Sequence, residues 1–332
     1  MKRIGVLTSG GDAPGMNAAI RSATRTALYH GLSVVGIYRG YQGLVEGDMF
    51  EMSSRSVGDT IQRAGTMLRS ARCPEFESYE VQKRAVENLA ASGIDGLVVI
   101  GGDGSLRGAA ALSKLGVPTV GIPATVDNDI ACTDYSLGFD TAVNTAVDAI
   151  TKIRDTASSH GRNNVVEVMG RDTGHLALAA GIAGGAEYIL IPEKPFDIQE
   201  ICEGIERGYA SGKTHCIIVV AEGVGGYFGP DMSLYDSIGF QIGQQVRKRT
   251  GLQTRVTVLG HIQRGGTPTV KDRLLGTMFG SRAVEALIHG DTSKIVGLSG
   301  NRLCLFDIEE VVSKRKPIDE EMYRVATLLS GM

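Results

Sequence analysis

The sequence has no surplus of basic residues, no long apolar run and no clustered cysteines. Lysine and arginine total 34 against 37 aspartates and glutamates, so the chain lacks the positive excess that neutralises nucleic-acid phosphates. No apolar run approaches the roughly 18 residues of a membrane span, and the first one, 4–7, is too short for a secretion signal. The five cysteines fit neither a disulfide framework nor a zinc site. We therefore expect a cytoplasmic protein that binds neither nucleic acid nor membranes.

Proline is scarce and glycine abundant. The chain has 9 prolines and 45 glycines in 332 residues, and its glycine share of about 14% is twice the usual value of roughly 7%. The absence of a G-X-Y period excludes collagen, and 42% hydrophobic residues with 21% charged residues exclude a disordered chain. At roughly 150 residues per domain, the length allows two compact units or one large α/β body.

Eight short apolar runs recur along the chain, and they fit strands buried on both faces of a parallel sheet. The runs are 4–7, 34–37, 97–100, 117–122, 165–169, 188–191, 217–221 and 256–259. Amphipathic helical patterns lie between them, such as the stripe of Val143, Ala146, Val147, Ile150 and Ile153. The alternation predicts two packed α/β units, with a chain that crosses between them more than once.

Glycine-rich or polar clusters end almost every apolar run, where parallel sheets bind ligands. The segment 10–15 follows a predicted strand and precedes a helix; it fits either a tight turn, the commoner case, or a phosphate cradle. The segment 101–105 places Asp103 between glycines. Its carboxylate can hold Mg²⁺ beside a polyphosphate, although it can also cap its own turn.

Carboxylates and arginines follow other predicted strands. Asp127 and Asp129 lie in an acidic turn that is either solvated or able to accept a proton from an alcohol. Arginines suit phosphate oxygens, although a single exposed arginine is more often a surface ion-pair residue; those beside predicted strands are Arg162, Arg171, Arg255 and Arg264. Together, the glycine loops, the acids and the arginines predict phosphoryl transfer from a nucleotide to an alcohol.

Six strings carry a resemblance to a known family. They are GVLTSGGDAPGMNAAIR (5–21), SAR (70–72), VVIGGDGS (98–105), TVDND (125–129), VVEVMGR (165–171) and TVLGHIQRGG (257–266). In this order, over essentially the full length, the chain resembles the bacterial ATP-dependent 6-phosphofructokinases. GGDG alone would not suffice, because lipid and NAD kinases use a similar loop.

The resemblance implies two Rossmann-like three-layer α/β/α domains with mostly parallel sheets. The larger, ATP-binding domain would comprise 1–138 and about 263–313, and the fructose 6-phosphate domain 139–262 and about 314–332. The implied MgATP contacts are Gly11, Arg72, Cys73, Gly102, Asp103, Gly104 and Ser105, with Asp103 facing the metal. The implied catalytic residues are Asp127 as proton acceptor, with Thr125, Arg171, Arg72 and Gly11.

The implied contacts of fructose 6-phosphate are Thr125, Asp127, Met169, Gly170, Arg171, Glu222, His261 and Arg264. Arg162 and Arg255 match residues that reach in from a neighbouring subunit, so a homotetramer with shared sites is implied. An allosteric site for ADP or phosphoenolpyruvate is implied by matches at Arg21, Arg25, Arg154, Gly185, Glu187, Ser211, Lys213 and His215. Ser211 stands where a lysine is common, and an expected arginine is displaced to Arg55, so we expect an altered effector site.

Some positions depart from the family or bear on the phosphoryl donor. Gly104 and Ala124 occupy positions where pyrophosphate users carry an acid and a lysine, so ATP is favoured over pyrophosphate. Cys73 replaces an expected aromatic, which would make Phe76 the more important ring beside adenine. The segment 223–236 is longer than the family pattern predicts. A catalytically silent, nucleotide-sensing subunit would be expected to lose Asp103, Asp127 or Arg171, and all three are present.

Overall fold

The eight apolar runs are all strands in the computed structural model, whose described residues are 1–228 and 237–330. The strands are β1 (Arg3–Ser9), β2 (Ser33–Ile37), β3 (Met49–Met52), β4 (Gly96–Gly101), β5 (Thr119–Pro123), β6 (Asn163–Val168), β7 (Tyr188–Leu190), β8 (Ile217–Ala221), β9 (Thr254–Val258), β10 (Lys294–Ser299) and β11 (Arg302–Asp307). The helices are α1 (Met16–Tyr29), α2 (Gly40–Glu46), α3 (Tyr79–Ala91), α4 (Asp103–Lys114), α5 (Phe139–His160), α6 (His175–Ala183), α7 (Ile198–Ala210), α8 (Ile238–Thr250), α9 (Val270–His289), α10 (Ile308–Val312) and α11 (Glu320–Ser330).

The chain folds as two α/β units and crosses between them three times. Unit 1 contains residues 1–141 and 264–316, and unit 2 contains residues 142–263 together with the segment that starts at Pro317. The helix α5 begins in unit 1 and continues into unit 2. The predicted α/β fold with mostly parallel sheets is therefore confirmed.

The unit 1 sheet has the strand order β11-β10-β5-β4-β1-β2-β3. Its central strands are parallel, whereas β3 and β11 pair antiparallel at the two edges. Every residue of β4 is buried, and so is every residue of β1 after Arg3. Burial of both faces explains why these strands read as continuous apolar runs. Their carboxyl ends carry the glycine loops.

The unit 2 sheet is fully parallel, with the order β7-β8-β6-β9. The strands β6 and β8 are buried throughout, whereas the edge strand β9 is only half covered. The predicted stripe on α5 is seen in its burial, since Ala146 and Ile150 are both fully buried.

Part of the segment 223–236 belongs to a short 3₁₀ helix, Glu222–Phe228. The rest of that segment, 229–236, lies outside the described residues, so its expected extra length stays a prediction. Within the described ranges, no helix combines the length and the apolar character needed to cross a bilayer.

Candidate active site

Three loops lie side by side at the carboxyl edge of the unit 1 sheet. In the register of β1, β4 and β5, Ser9 pairs with Gly101, and Gly101 pairs with Pro123. The segments that follow these strands, 10–15, 102–105 and 124–129, therefore start next to one another. In addition, the Ala124 N–H donates to the Gly101 carbonyl at 2.9 Å. Both glycine loops and the acidic turn thus come together.

An arginine lies on the backbone of the first glycine loop. Arg264 Nη1 donates to the Asp12 carbonyl at 3.0 Å. A Cβ on Gly11 would stand 2.6 Å from the same nitrogen, so a larger residue here would displace the guanidinium from this position. The loop then enters α1 through Gly15, which has a φ of 98°. Bare backbone, a guanidinium and the positive end of a helix together favour a bound anion.

The second glycine loop presents a carboxylate and open space. Asp103 is the first residue of α4, and its side chain is 37% exposed while it pairs with Arg107 at 2.9 Å. Among the described residues, no atom lies within 4 Å of the place that a Cβ on Gly104 would occupy. Ser105 is buried, and its carbonyl accepts a hydrogen bond from the Tyr41 hydroxyl at 2.5 Å. The loop is therefore held at Ser105 and open beside Gly104.

The aromatic ring expected beside adenine lies in the core of unit 1. Phe76 is only 5% exposed and stacks on Tyr41 with ring centroids 4.1 Å apart. Hydrophobic packing thus covers most of this ring, and its contact with adenine stays a prediction. Cys73 packs half-buried against the same core, and burial raises the pKa of its thiol. Arg72, just before it, is exposed.

The acidic turn after β5 is buried, so it is not a solvated surface turn. Thr125, Asp127 and Asn128 are 7%, 6% and 5% exposed. The Asp127 N–H donates to Thr125 Oγ1 at 3.1 Å, and Asn128 has a left-handed φ of 53°. Asparagine is one of the few residues that adopt this conformation readily. The sequence thus favours a turn that directs the chain around a buried carboxylate.

A second cluster forms at the carboxyl edge of the unit 2 sheet, because β6 lies between β8 and β9. The Arg171 N–H, after β6, donates to Glu222 Oε1, after β8, at 2.8 Å. The Met169 N–H donates to the side-chain carbonyl of Gln263, after β9, at 3.4 Å. Residues following three strands are therefore joined by hydrogen bonds.

The turn between β6 and Arg171 requires glycine. Gly170 has a φ of 144°, and a Cβ there would stand 2.4 Å from the Thr173 carbonyl oxygen. Arg171 itself has a φ of 52°, its side chain is exposed, and His261 is exposed on the 3₁₀ turn after β9. The side chains of Arg171 and His261 are therefore both exposed at the carboxyl edge of the unit 2 sheet.

Two of the arginines are not part of the unit 2 carboxyl-edge cluster. Arg255 is the second residue of β9, and Arg162 immediately precedes β6. Both therefore lie at the amino edge of the parallel sheet, opposite Met169 and Glu222. The unit 2 fold separates them from the cluster along the strand direction.

The residues expected at the effector site lie in both units. Arg21 and Arg25 are on α1 of unit 1. In unit 2, Arg154 donates to the carbonyls of Gly184 and Gly185, and lies 3.6 Å from a carboxylate oxygen of Glu187. The loop between α7 and β8 carries the other three residues, Ser211, Lys213 and His215. A cavity of about 500 Å³ between β7, α7 and α11 has Glu187 in its wall.

Two buried polar residues were not anticipated from the sequence. Gln263 is fully buried and bonds both Met169 and the Gly260 carbonyl. Asp272 is fully buried in the first turn of α9, and burial raises the pKa of its carboxyl. Its oxygens accept hydrogen bonds from the N–H groups of Gly138 and Thr141, at 2.9 Å each. The only local indication of either residue in the sequence is the place of Gln263 in the string GHIQRGG.

Comparison with known proteins identifies the family. The phosphofructokinase family model matches residues 3–287. The chain belongs to the phosphofructokinase family. It is 57% identical to the ATP-dependent 6-phosphofructokinase of Halothermothrix orenii over 331 residues, which are 99% of this chain and 100% of that protein. The ATP-dependent 6-phosphofructokinase 1 of Clostridium perfringens is 54% identical with the same coverage of both chains.

Solved structures of the family share the fold. The phosphofructokinase of Saccharomyces cerevisiae is 35% identical with a TM-score of 0.85, and the match covers 100% of this chain and 47% of the yeast chain. This chain thus spans about half the length of its yeast relative. A pyrophosphate-dependent phosphofructokinase from Marinobacter aquaeolei has a TM-score of 0.85 at 22% identity, over 97% of this chain and 86% of that chain. At that identity the match shows the fold alone.

Proposed function

We propose that the protein is an ATP-dependent 6-phosphofructokinase. It would transfer the γ-phosphoryl group of MgATP to the 1-hydroxyl of fructose 6-phosphate and release fructose 1,6-bisphosphate and ADP. The observation that carries the proposal is the adjacency of two glycine loops and a buried acidic turn at one sheet edge. The relatives at 57% and 54% identity, named for this activity, support it.

The nucleotide would bind to the unit 1 loops. The Gly11 and Gly102 segments offer backbone N–H groups to phosphate oxygens. The open space beside Gly104 leaves room for the nucleotide, and Ser105, Arg72 and Cys73 complete the proposed contacts. Arg72 and the Gly11 amide would stabilise the charge that spreads over the transferred group.

The donor set fits a magnesium ion carried in by the nucleotide. Asp103 supplies the carboxylate oxygen that Mg²⁺ prefers, and Mg²⁺ generally binds through one or two carboxylates, water and substrate phosphates. Within ranges 1–228 and 237–330, no cluster of three or more potential metal ligands occurs. When bound, the ion would neutralise charge on the β- and γ-phosphate oxygens.

The sugar phosphate would bind to the unit 2 cluster, and Arg264 stays a further predicted contact. Arg171, His261 and Arg264 are the proposed anion ligands, because guanidinium groups match phosphate oxygens. Met169 and Gly170 shape the turn, and Glu222 can accept from a hydroxyl while it holds the Arg171 N–H. Arg171 is also proposed to stabilise the transferred group.

Asp127 would orient the 1-hydroxyl and accept its proton. Its backbone is held by Thr125, and its burial keeps water away from the attacking oxygen. The transition state of phosphoryl transfer is loose, so a carboxylate of ordinary basicity suffices once it is well positioned. Positioning is therefore the main contribution of this residue.

The donor is proposed to be ATP rather than pyrophosphate. Ala124 is 1% exposed, so the lysine expected of a pyrophosphate user has no place at this position without repacking. Gly104 leaves space where the acid of such enzymes would stand. A silent nucleotide sensor is disfavoured, because Asp103, Asp127 and Arg171 are all retained.

We further propose a homotetramer in which a neighbouring copy completes each sugar site through Arg162 and Arg255. Their position at the amino edge of the unit 2 sheet supports this, because they lie away from the cluster of their own unit. An effector site for ADP or phosphoenolpyruvate is proposed in unit 2 at Arg154, Gly185, Glu187 and the segment 211–215, and a contribution from Arg21 and Arg25 stays a prediction. A cytoplasmic location belongs to the same proposal and agrees with five free thiols.

The test is a coupled assay of the purified protein with fructose 6-phosphate and ATP, pyrophosphate or ADP as donor. We expect turnover with ATP and a kcat at least ~10²-fold lower for Asp127→Ser, with both substrates still bound. The control is Asp291→Ser, which changes an exposed aspartate and should turn over at the wild-type rate. Turnover of Asp127→Ser at that same rate would remove Asp127 from its role, and turnover with pyrophosphate alone would refute the donor.

A further inference from the structure

A network of hydrogen bonds closes the segment that follows the acidic turn. Asn128 Nδ2 donates to the Asp134 carbonyl at 3.1 Å, and Asn128 Oδ1 accepts from the Ser136 N–H at 2.9 Å. The Ser136 hydroxyl donates back to the Thr125 carbonyl at 2.7 Å. The side chain of Asn128 is thus held at both ends, which maintains its left-handed backbone beside Asp127.

One lysine from far along the chain completes this network. Lys316 Nζ donates to the carbonyls of Thr133 and Asp134, at 2.8 and 2.9 Å. Its backbone N–H lies 3.4 Å from the Asp129 carbonyl oxygen. Asn128 and Lys316 therefore share the Asp134 carbonyl, so the lysine supports the residue that sets the chain direction at Asp127.

We propose that Lys316 is a positioning residue for Asp127, acting through the Asp134 carbonyl and Asn128. This inference rests on the proposed function, in which Asp127 accepts the proton of the sugar hydroxyl. The lysine is not expected to touch either substrate. Its removal should leave substrate binding largely intact and impair the transfer step, since about 1 Å of misplacement can cost roughly 10²-fold in rate.

The protonation of Lys316 provides a second test of its role, namely the dependence of kcat on pH. Burial lowers the pKa of Lys316 to about 8, and the groups facing it are Asp134, Cys132 and Asp129. Cys132 stays a thiol in this range, because burial raises its pKa to about 12. An ammonium makes stronger hydrogen bonds to carbonyls than a neutral amine does. The turn should therefore loosen as pH rises through about 8.

Stability should not follow activity in this pH range. The folded-state pKa of Lys316 lies below the ordinary lysine value, so between the two values the unfolded chain binds more protons. This residue therefore makes the fold more stable, not less, as pH rises above 8. A fall in kcat without a fall in melting temperature separates positioning from general unfolding.

The experiment compares wild type, Lys316→Met, Lys316→Arg and the control Lys314→Met in the coupled assay. Lys314 is exposed and pairs with Glu310 at 2.6 Å. At pH 7 we expect Lys316→Met to lower kcat about 10- to 100-fold with KM for both substrates within about threefold. Lys314→Met should match wild type. Lys316→Arg should keep most of the activity and move the alkaline fall of kcat to higher pH, because arginine stays charged.

Several results would overturn the inference. They are an unchanged kcat in Lys316→Met, a loss of kcat matched by equal losses in Lys314→Met, or an alkaline profile of Lys316→Arg identical to wild type. If Lys316→Met does not fold, the profile of Lys316→Arg against wild type decides alone. An inactive wild type would refute the proposed function, whereas an active wild type with an active Lys316→Met would refute only the role of the lysine.

Discussion

Replacement of Asp272 by asparagine should destabilise the protein. One oxygen of this fully buried carboxylate accepts the Gly138 N–H, and the other accepts both the N–H and the hydroxyl of Thr141. An amide has one acceptor oxygen and one donor nitrogen. In the better orientation of the introduced amide, its oxygen still accepts both hydrogen bonds from Thr141. Its nitrogen then faces the Gly138 N–H, and because both groups are donors, that hydrogen bond is lost.

The loss can be estimated from these contacts. One hydrogen bond to a charged acceptor is lost, at about 1.5–3 kcal/mol, and two more lose their charge assistance. The charge that was costly to bury is removed as well, which offsets part of the loss. We expect a net destabilisation of about 2–4 kcal/mol, which lowers the melting temperature by roughly 3–6 °C in a protein of this size.

The pH dependence of stability provides a second test of the role of Asp272. Burial raises the folded-state pKa of Asp272, opposed by the Thr141 and Gly138 hydrogen bonds and reinforced by Asp140. The folded protein then binds more protons than the unfolded chain between the ordinary carboxyl pKa and the raised one. The contribution of Asp272 to stability therefore falls as pH rises through that window and is constant above it. The advantage of wild type over Asp272→Asn should shrink accordingly.

Thermal unfolding followed by circular dichroism measures both effects. Asp148→Asn is the matched control, because Asp148 lies on α5, is exposed and pairs with Lys152 only four residues away. Its melting temperature should stay within about 1–2 °C of wild type. If Asp272→Asn melts at or above the wild-type temperature at pH 7, the three hydrogen bonds do not outweigh the cost of burying the charge, and the reasoning fails.

Three further outcomes test the proposed site. Gly104→Asp fills the open space in the second glycine loop, so it should raise the KM for ATP at least ~10-fold without changing the melting temperature; an unchanged KM would contradict the nucleotide's position. Gly170→Ala places a Cβ against a carbonyl oxygen and should raise the KM for the sugar phosphate by a similar factor, whereas Gly251→Ala, at another positive φ with open space, should not. If subunits share sites, random mixing of Asp127→Ser with Arg255→Ser should restore about a quarter of the sites; no gain over the unmixed variants would refute shared sites.

Most of the strands that the sequence revealed are buried on both faces, and the exceptions are β7 and β9. The runs 97–100 and 217–221 lie in β4 and β8, where every residue is covered and apolar side chains follow one another. The strands β3 and β11, which pair at the edges of the unit 1 sheet and are half exposed, escaped notice. In β10 the apolar run is interrupted by Gly297, where a Cβ would stand 3.0 Å from the Cys132 carbonyl oxygen.

The loops of the candidate site were predictable because parallel strands bring their carboxyl ends to one edge. The polar residues that hold those loops were not. Gln263 bonds Met169 from 94 positions away, Asp272 bonds Gly138 from 134 positions away, and Lys316 bonds Thr133 from 183 positions away. No local pattern marks such partners, since each looks like an ordinary surface residue until the fold buries it. The packing of Phe76 onto Tyr41 was missed for the same reason.

The residues of unit 1 at the three chain crossings share one property. The chain leaves or enters unit 1 at Thr141, Arg264 and Lys316. Thr141 is bonded by Asp272, Arg264 is bonded to the first glycine loop, and Lys316 is bonded to the segment after the acidic turn. Each crossing therefore begins at a residue fixed to the unit 1 carboxyl edge or to the start of α5. Substitutions at Asp272 and Lys316, which lie outside the proposed ligand contacts, should consequently change how firmly the loops are held, and they offer a way to separate loop positioning from ligand binding.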